Sequence, residues 1–210
     1  MSARTELADR PTERRSHAER TAETRERVMN AVIESIAEVG FQRTTAAEIA
    51  RRAGVTWGAV QHHFGDKEGI LMAVLEESCE IFVAALGTPP DKGAALEIRV
   101  GIFVSRSWEH FRGTHYRSTF EILRSLPTEI EMPWRREMLE EWRRIWSNFF
   151  PESDPKERKS IDLMLYSISV FTGLATTKML EGRKARTRCR ELAFLEETMT
   201  QSLGGGGEPG

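Results

Sequence analysis

Trp57, Gln61 and His62 share one side of a short stretch with helical spacing. An indole, an amide and an imidazole on one helix face can pack against, and hydrogen-bond to, base edges in a DNA major groove. Val60 and Phe64, four residues apart, take the inward side, and Thr56 stands where a helix cap would. Upstream, Thr45 with Glu48 three residues on has the pattern of a capping box, which closes two amide donors that a helix start leaves open. A helix is therefore predicted from about Ala46, with Ile49, Ala50 and Ala53 on its apolar face and Arg51 and Arg52 on the other. Gly54 supplies the positive φ that turns the chain between the two segments. Two short helices joined by a glycine turn read as a helix-turn-helix, whose second helix is the one that enters a groove.

The chain as a whole supplies no polybasic surface. It has 210 residues, 40% of them hydrophobic, and a net charge of −2, so phosphate neutralisation must be local, from Arg43, Arg51, Arg52 and Lys67 around the two helices. The two cysteines, Cys79 and Cys189, lie far apart and suit a reducing compartment better than a disulfide framework. The first twenty residues mix Arg with Glu and Asp without an apolar stretch, so no signal peptide is predicted. No run approaches the ~18 apolar residues of a membrane span. These features predict a soluble, cytoplasmic protein that contacts no membrane. No Ser/His/Asp or Cys/His pattern and no phosphate-cradling glycine loop occurs, and Glu140-Glu141 and Glu196-Glu197 read as solvated helix faces. Neither a catalytic residue nor a cofactor is predicted. His62 and His63 are adjacent, so on a helix they point about 100° apart, which does not suit a shared metal.

Around the helix-turn-helix the reading is all-α. Residues 1–20 are polar and dense in both charge signs and are expected to form a disordered arm. Val28, Val32, Ile36 and Val39 mark a supporting helix over 21–39 that ends at Gly40, which sets the DNA-binding unit at 21–67. A longer helix from Lys67 stops before Gly87-Thr88-Pro89-Pro90 and bridges to the rest. Further helices are predicted at about 93–111, 114–126, 129–149, 156–182 and 187–203, with Pro133 able to occupy a first turn. Residues 68–203 thus form a larger helical domain, and 204–210, rich in glycine, a flexible tail.

That larger domain carries many large side chains. Phe103, Trp108, Phe111, Tyr116, Phe120, Trp134, Met138, Trp142 and Phe171 can either fill a core or line a pocket among helices. Ser107, His110, Glu121 and Thr172 are the polar groups that would orient a ligand there, although Glu121 can equally be a salt-bridged surface residue. The helix over 156–182 has apolar groups on more than one face and needs two partners, the second most simply another copy of itself, with 187–203 beside it.

Val39-Gly40-Phe41, Thr44-Thr45, Ile49-Ala50, Ala53-Gly54-Val55-Thr56, Gly58, Phe64, Lys67-Glu68 and Ile70-Leu71 stand at fixed spacing. In these residues the N-terminal third resembles the TetR family of bacterial transcriptional regulators. The resemblance implies that Thr45 bonds a phosphate or caps the first reading helix, that Thr56 and Trp57 open the recognition helix, and that Lys67 contacts phosphate. The sequence departs at Gln61, where the family usually has a tyrosine, and His62 and His63 complete the unusual set. Glutamine can donate to phosphate or read adenine, so the departure bears on base preference. The resemblance further implies a homodimer through 156–182 and 187–203 that binds a palindromic double-stranded operator. It also implies a repressor released by a largely apolar or aromatic small-molecule effector. The alternative is a DNA-binding structural or interaction protein of the same fold with no effector.

Overall fold

In the computed structural model, which describes residues 16–91, 93–125, 133–154, 156–182 and 187–205, α1 (His17–Val39) starts earlier than the predicted 21. The cause is a capping box that charge density obscured. The Ser16 hydroxyl accepts from the Glu19 amide at 3.2 Å, and the Glu19 carboxylate accepts from the Ser16 amide at 2.6 Å. The predicted arm therefore ends inside a helix, and the rest of it, 1–15, lies outside the described residues, as do 206–210 of the tail. After Gly40 a single 3-10 turn (Phe41–Arg43) leads into α2 (Ala46–Ala53), α3 (Trp57–Phe64) and α4 (Lys67–Leu86). Beyond these come α5 (Leu96–Phe111), α6 (Thr114–Ser125), α7 (Pro133–Phe149), α8 (Arg158–Glu181) and α9 (Cys189–Gly204). The fold is all-α, with no strand among the described residues. Pro133 takes the first position of α7, where its missing N–H costs nothing.

Two apolar cores divide the molecule. Val28, Val32 and Ile36 of α1, Ile49 of α2, Val60 of α3, and Ile70 and Val74 of α4 form the first. Phe82 and Leu86 at the other end of α4 join the second, with Phe103, Phe111, Trp142, Trp146, Phe149, Phe150 and Phe171. The long helix thus spans both cores, as its apolar pattern predicts. A second bridge, α6, is not evident from the sequence. Its Ile122 packs into the first core, its Tyr116 borders the second, and Ser118 donates to the Ile33 carbonyl of α1 at 3.0 Å. Thr119 also donates to Ser78 of α4 at 2.9 Å, so α6 is fastened to both neighbours by buried hydroxyls.

Polar clamps close the larger unit. Arg99, buried at the start of α5, donates to the Phe149 carbonyl at 2.7 Å and forms a two-pronged pair with Glu152 at 2.8 and 2.9 Å. Trp146 donates its indole N–H to Ser160 at 3.1 Å, tying α7 to α8. One expectation changes in α8, which is long and apolar enough to cross a membrane by length and composition alone. Its scattered Ser and Thr conceal this in a simple reading of apolar runs. Met164, Ser167, Phe171 and Ala175 bury one face of α8 inside the protein, whereas Leu165 and Tyr166 stay 42% exposed on the other.

Candidate nucleic-acid interface

Thr45 and Thr56 each cap a reading helix. The Thr45 hydroxyl accepts from the Glu48 amide at 3.3 Å, and the Thr56 hydroxyl accepts from the Ala59 amide at 3.2 Å. Gly54 ends α2 in the left-handed conformation at φ 64°, as the turn requires. Only half of the predicted capping box at Thr45 forms, because the Glu48 carboxylate is taken by arginines instead. Arg51 lies 2.7 Å and Arg52 2.6 Å from it, and Arg52 also reaches Glu38 on α1 at 2.6 Å. Hydrogen bonds from Arg51 and then Arg52 hold the Glu48 carboxyl down at about 2. The expectation that Arg51 and Arg52 serve as local phosphate neutralisers is corrected accordingly: both are internally paired, Arg51 within α2 and Arg52 also across to α1.

Val60 is fully buried, while Gln61 and His62 are exposed along the opposite side of α3. Trp57 is half-buried and packs against the first core while standing at the helix start. His63 is half-buried, its ring edge-on to His62 at 5.4 Å and to Phe64 at 6.4 Å. Arg25 of α1 stacks its guanidinium over the Phe64 ring at 4.9 Å, fixing the end of α3. Arg43 is exposed at the end of the 3-10 turn. Lys67 opens α4, and its side chain lies outside the described residues. The arrangement thus brings Thr45, Thr56, Trp57, Gln61 and His62 onto the two reading helices. A further determinant, not evident from the sequence, is Gly69. A Cβ at Gly69 would fall 1.9 Å from the Phe64 carbonyl oxygen, so only glycine lets the first turn of α4 approach the end of α3. The signal available was the glycine itself, placed inside an otherwise good helix.

The predicted pocket residues separate into two groups. Phe103, Ser107, Phe111, Trp142 and Phe171 are closed inside the second core. There the Phe103 ring meets Phe150 at 5.4 Å, Phe149 at 5.5 Å and Trp146 at 5.7 Å. Trp108, Tyr116, Phe120, Glu121 and Met138 are half-buried toward its edge, and Trp134 has its side chain outside the described residues. Glu121 faces Arg124 at 3.7 Å, the surface pairing left open by the sequence. Two buried polar atoms there, Ser107 Oγ and His115 Nε2, have no hydrogen-bond partner within the protein.

His110 sits in this region with its ring 4.9 Å from Phe82 and 6.0 Å from Tyr116. Burial, reinforced by the nearby His115, pulls its basicity down to about 4 from 6.5, and burial pushes the Tyr116 phenol up to about 12. An unfolded chain therefore takes up a proton at His110 before the folded one does. Its stabilising share is complete above pH 6.5 and is lost as the pH falls from 6.5 toward 4, on the order of 3 kcal/mol in all. Urea unfolding across that range is expected to show this loss in the parent. His110→Phe should flatten the slope, and an unchanged slope would place the proton uptake elsewhere.

Residues 28–74 match the sequence model TetR_N, described as bacterial regulatory proteins of the tetR family. The HTH-type transcriptional regulator BetI of Escherichia coli (strain K12 / DH10B) is 45% identical over 53 residues, 25% of this chain and 27% of BetI. The matched segment thus spans about a quarter of the length of the curated relatives. Among solved structures, the fatty acid degradation regulator FadR from Bacillus halodurans superposes with a TM-score of 0.64 at 17% identity, over 94% of this chain and 100% of that one. The transcriptional regulator FadR from Bacillus subtilis, solved with stearoyl-CoA, gives a TM-score of 0.61 at 20% identity, over 87% and 99%. At these identities the structural likeness speaks for the fold.

Proposed function

We propose that this chain, whose residues 28–74 match the tetR family of bacterial regulatory proteins, is a cytoplasmic, homodimeric repressor that lays α3 in the major groove of a palindromic operator and releases it when an apolar or aromatic small molecule binds. The observation that carries the DNA reading is the two-sidedness of α3: Val60 is fully buried while Gln61 and His62 stand exposed beside a capped helix start. Arg43, Thr45, Thr56 and Lys67 supply backbone contacts, and Trp57, Gln61, His62 and His63 the base-facing edge. With Arg51 and Arg52 already paired, few phosphates are neutralised per chain, so the affinity depends only moderately on salt.

The dimer reading rests on apolar exposure. Tyr166, Val170 and Leu174 of α8 and Phe194 of α9 line one groove that nothing among the described residues covers, and Phe194 is 65% exposed. A second copy laid across it completes a four-helix bundle and accounts for the apolar length of α8 without a membrane. The effector reading rests on the edge of the aromatic cluster, where Trp108, Tyr116, Phe120 and Met138 are half-buried near the unpartnered Ser107 hydroxyl. Closure of Phe103, Phe111, Trp142 and Phe171 in the core favours, as a second reading, a DNA-binding protein of this fold without an effector. Effector binding and operator binding are coupled through one equilibrium between two head spacings, with α4 and α6 joining the cores.

Selection of bound sequences from random duplex DNA tests the DNA reading. Gln61→Tyr is expected to change base preference at one or two positions, each by about 1–3 kcal/mol, while leaving the half-site spacing intact. A uniform change in affinity with unchanged preference would make Gln61 a phosphate contact, and no enrichment by the parent would refute the DNA reading.

A further inference from the structure

At the edge of the aromatic core, α5 turns into α6 at Arg112 and Gly113, and this corner leans against the last turns of α8. The corner is tight: the Gly113 amide donates to the His110 carbonyl at 3.0 Å, and a Cβ there would stand 3.1 Å from that same oxygen. Between the corner and α8 lies a cleft of about 310 Å³.

Its lining is of two chemical kinds. Phe111, Ala175 and Met179 are apolar, Arg112, Arg117 and Lys178 are cationic, and no Asp or Glu among the described residues belongs to it. Lys178 is anchored across the cleft, its Nζ donating to the Arg112 carbonyl at 2.9 Å. Arg112 has a partner outside the cleft, Glu109 at 2.7 Å. Arg117 and Lys178 have no carboxylate partner among the described residues. Arg117 stands in the first turn of α6, whose leading amides have no acceptor within the helix and favour negative charge. Gathering like charges at one cleft is unfavourable unless an anion joins them.

The geometry points to a binding site for a small organic carboxylate with an apolar body. Arg117, Lys178 and the first-turn amides of α6 hold the carboxylate, and Phe111 and Met179 receive the body. The volume is at the lower end for small-molecule sites and suits a medium-chain or single-ring acid. Of the aromatic residues assigned above to the effector pocket, the cleft includes only Phe111, so it is a second site.

Isothermal titration calorimetry of the full chain, without DNA, tests this with octanoate, octanamide and inorganic phosphate. Octanoate is expected to bind saturably, and octanamide at least about tenfold more weakly, since the amide forfeits the charge-assisted bonds. Arg117→Gln and, separately, Lys178→Met should each weaken octanoate about tenfold. Arg124→Gln, on the same helix outside the cleft, should leave it unchanged. Arg117 is exposed, so its replacement leaves folding intact. Full octanoate affinity in Arg117→Gln, equal binding of octanoate and octanamide, or no saturable binding of octanoate overturns the site. Phosphate bound as tightly as octanoate overturns the apolar half of the assignment.

Discussion

Tyr166→Asp combined with Phe194→Asp is expected to turn a dimer into a monomer and to lower affinity for a palindromic site by about 10²–10⁴-fold. Both side chains border the uncovered groove between α8 and α9, and both are exposed in the single chain. A carboxylate at either position therefore costs little within one chain. In a dimer it would be buried in an apolar seam without a partner, which is strongly unfavourable. The affinity loss follows because two linked reading heads gain from each other's binding and a lone head does not. Mass in solution at micromolar concentration and binding to a two-half-site duplex are the readouts, with far-UV circular dichroism to verify that the helices persist. A double variant that remains dimeric would move the interface away from this groove.

Phe103→Ala is expected to cost about 3–5 kcal/mol of stability, because its ring fills the centre of the second core. Phe103 is fully buried and has Trp142, Trp146, Phe149, Phe150 and Phe171 around it at ring separations between 5.4 and 6.4 Å. Those rings come from α7, its C-terminal end and α8, so they cannot collapse together into the space without moving whole helices. In a chain of this length the melting temperature should fall by on the order of 10 °C. Thermal and urea unfolding check it. A loss below about 1 kcal/mol would mean that Phe103 borders a cavity already present rather than a packed core.

The contrast between these two positions shows what the sequence could convey. Helical period and glycine and proline punctuation suffice for the all-α class, for the ends of α2, for the start of α3 and for the opposed placement of Val60 against Gln61 and His62, because those are local properties, whereas Trp57, expected on the outward side, packs against the first core. Aromatic load in α5 and α7 was equally visible, but whether it meant core or pocket was not, since that depends on helices distant in the chain. The structure places Phe103 in the core and leaves Tyr116 and Phe120 at its edge. Charges were the least legible. Arg51 and Arg52 read as DNA contacts from their place on α2, yet Glu38 on α1 lies within reach of Arg52 only after the two helices pack. The capping pattern of Ser16 with Glu19 is masked by the run of charges around it, and the role of α6 as a second bridge rests on single hydroxyls, Ser118 and Thr119, that carry no periodic signal.

The most direct measurement is selection of random duplex DNA by the full chain, followed by the mass of the complex with the winning sequence. The expected result is an inverted repeat with half-site centres about 10–10.5 base pairs apart, roughly 34–36 Å, occupied by two chains. No enrichment over the starting pool, or a single half-site occupied by one chain, would contradict a dimeric reader built on α3.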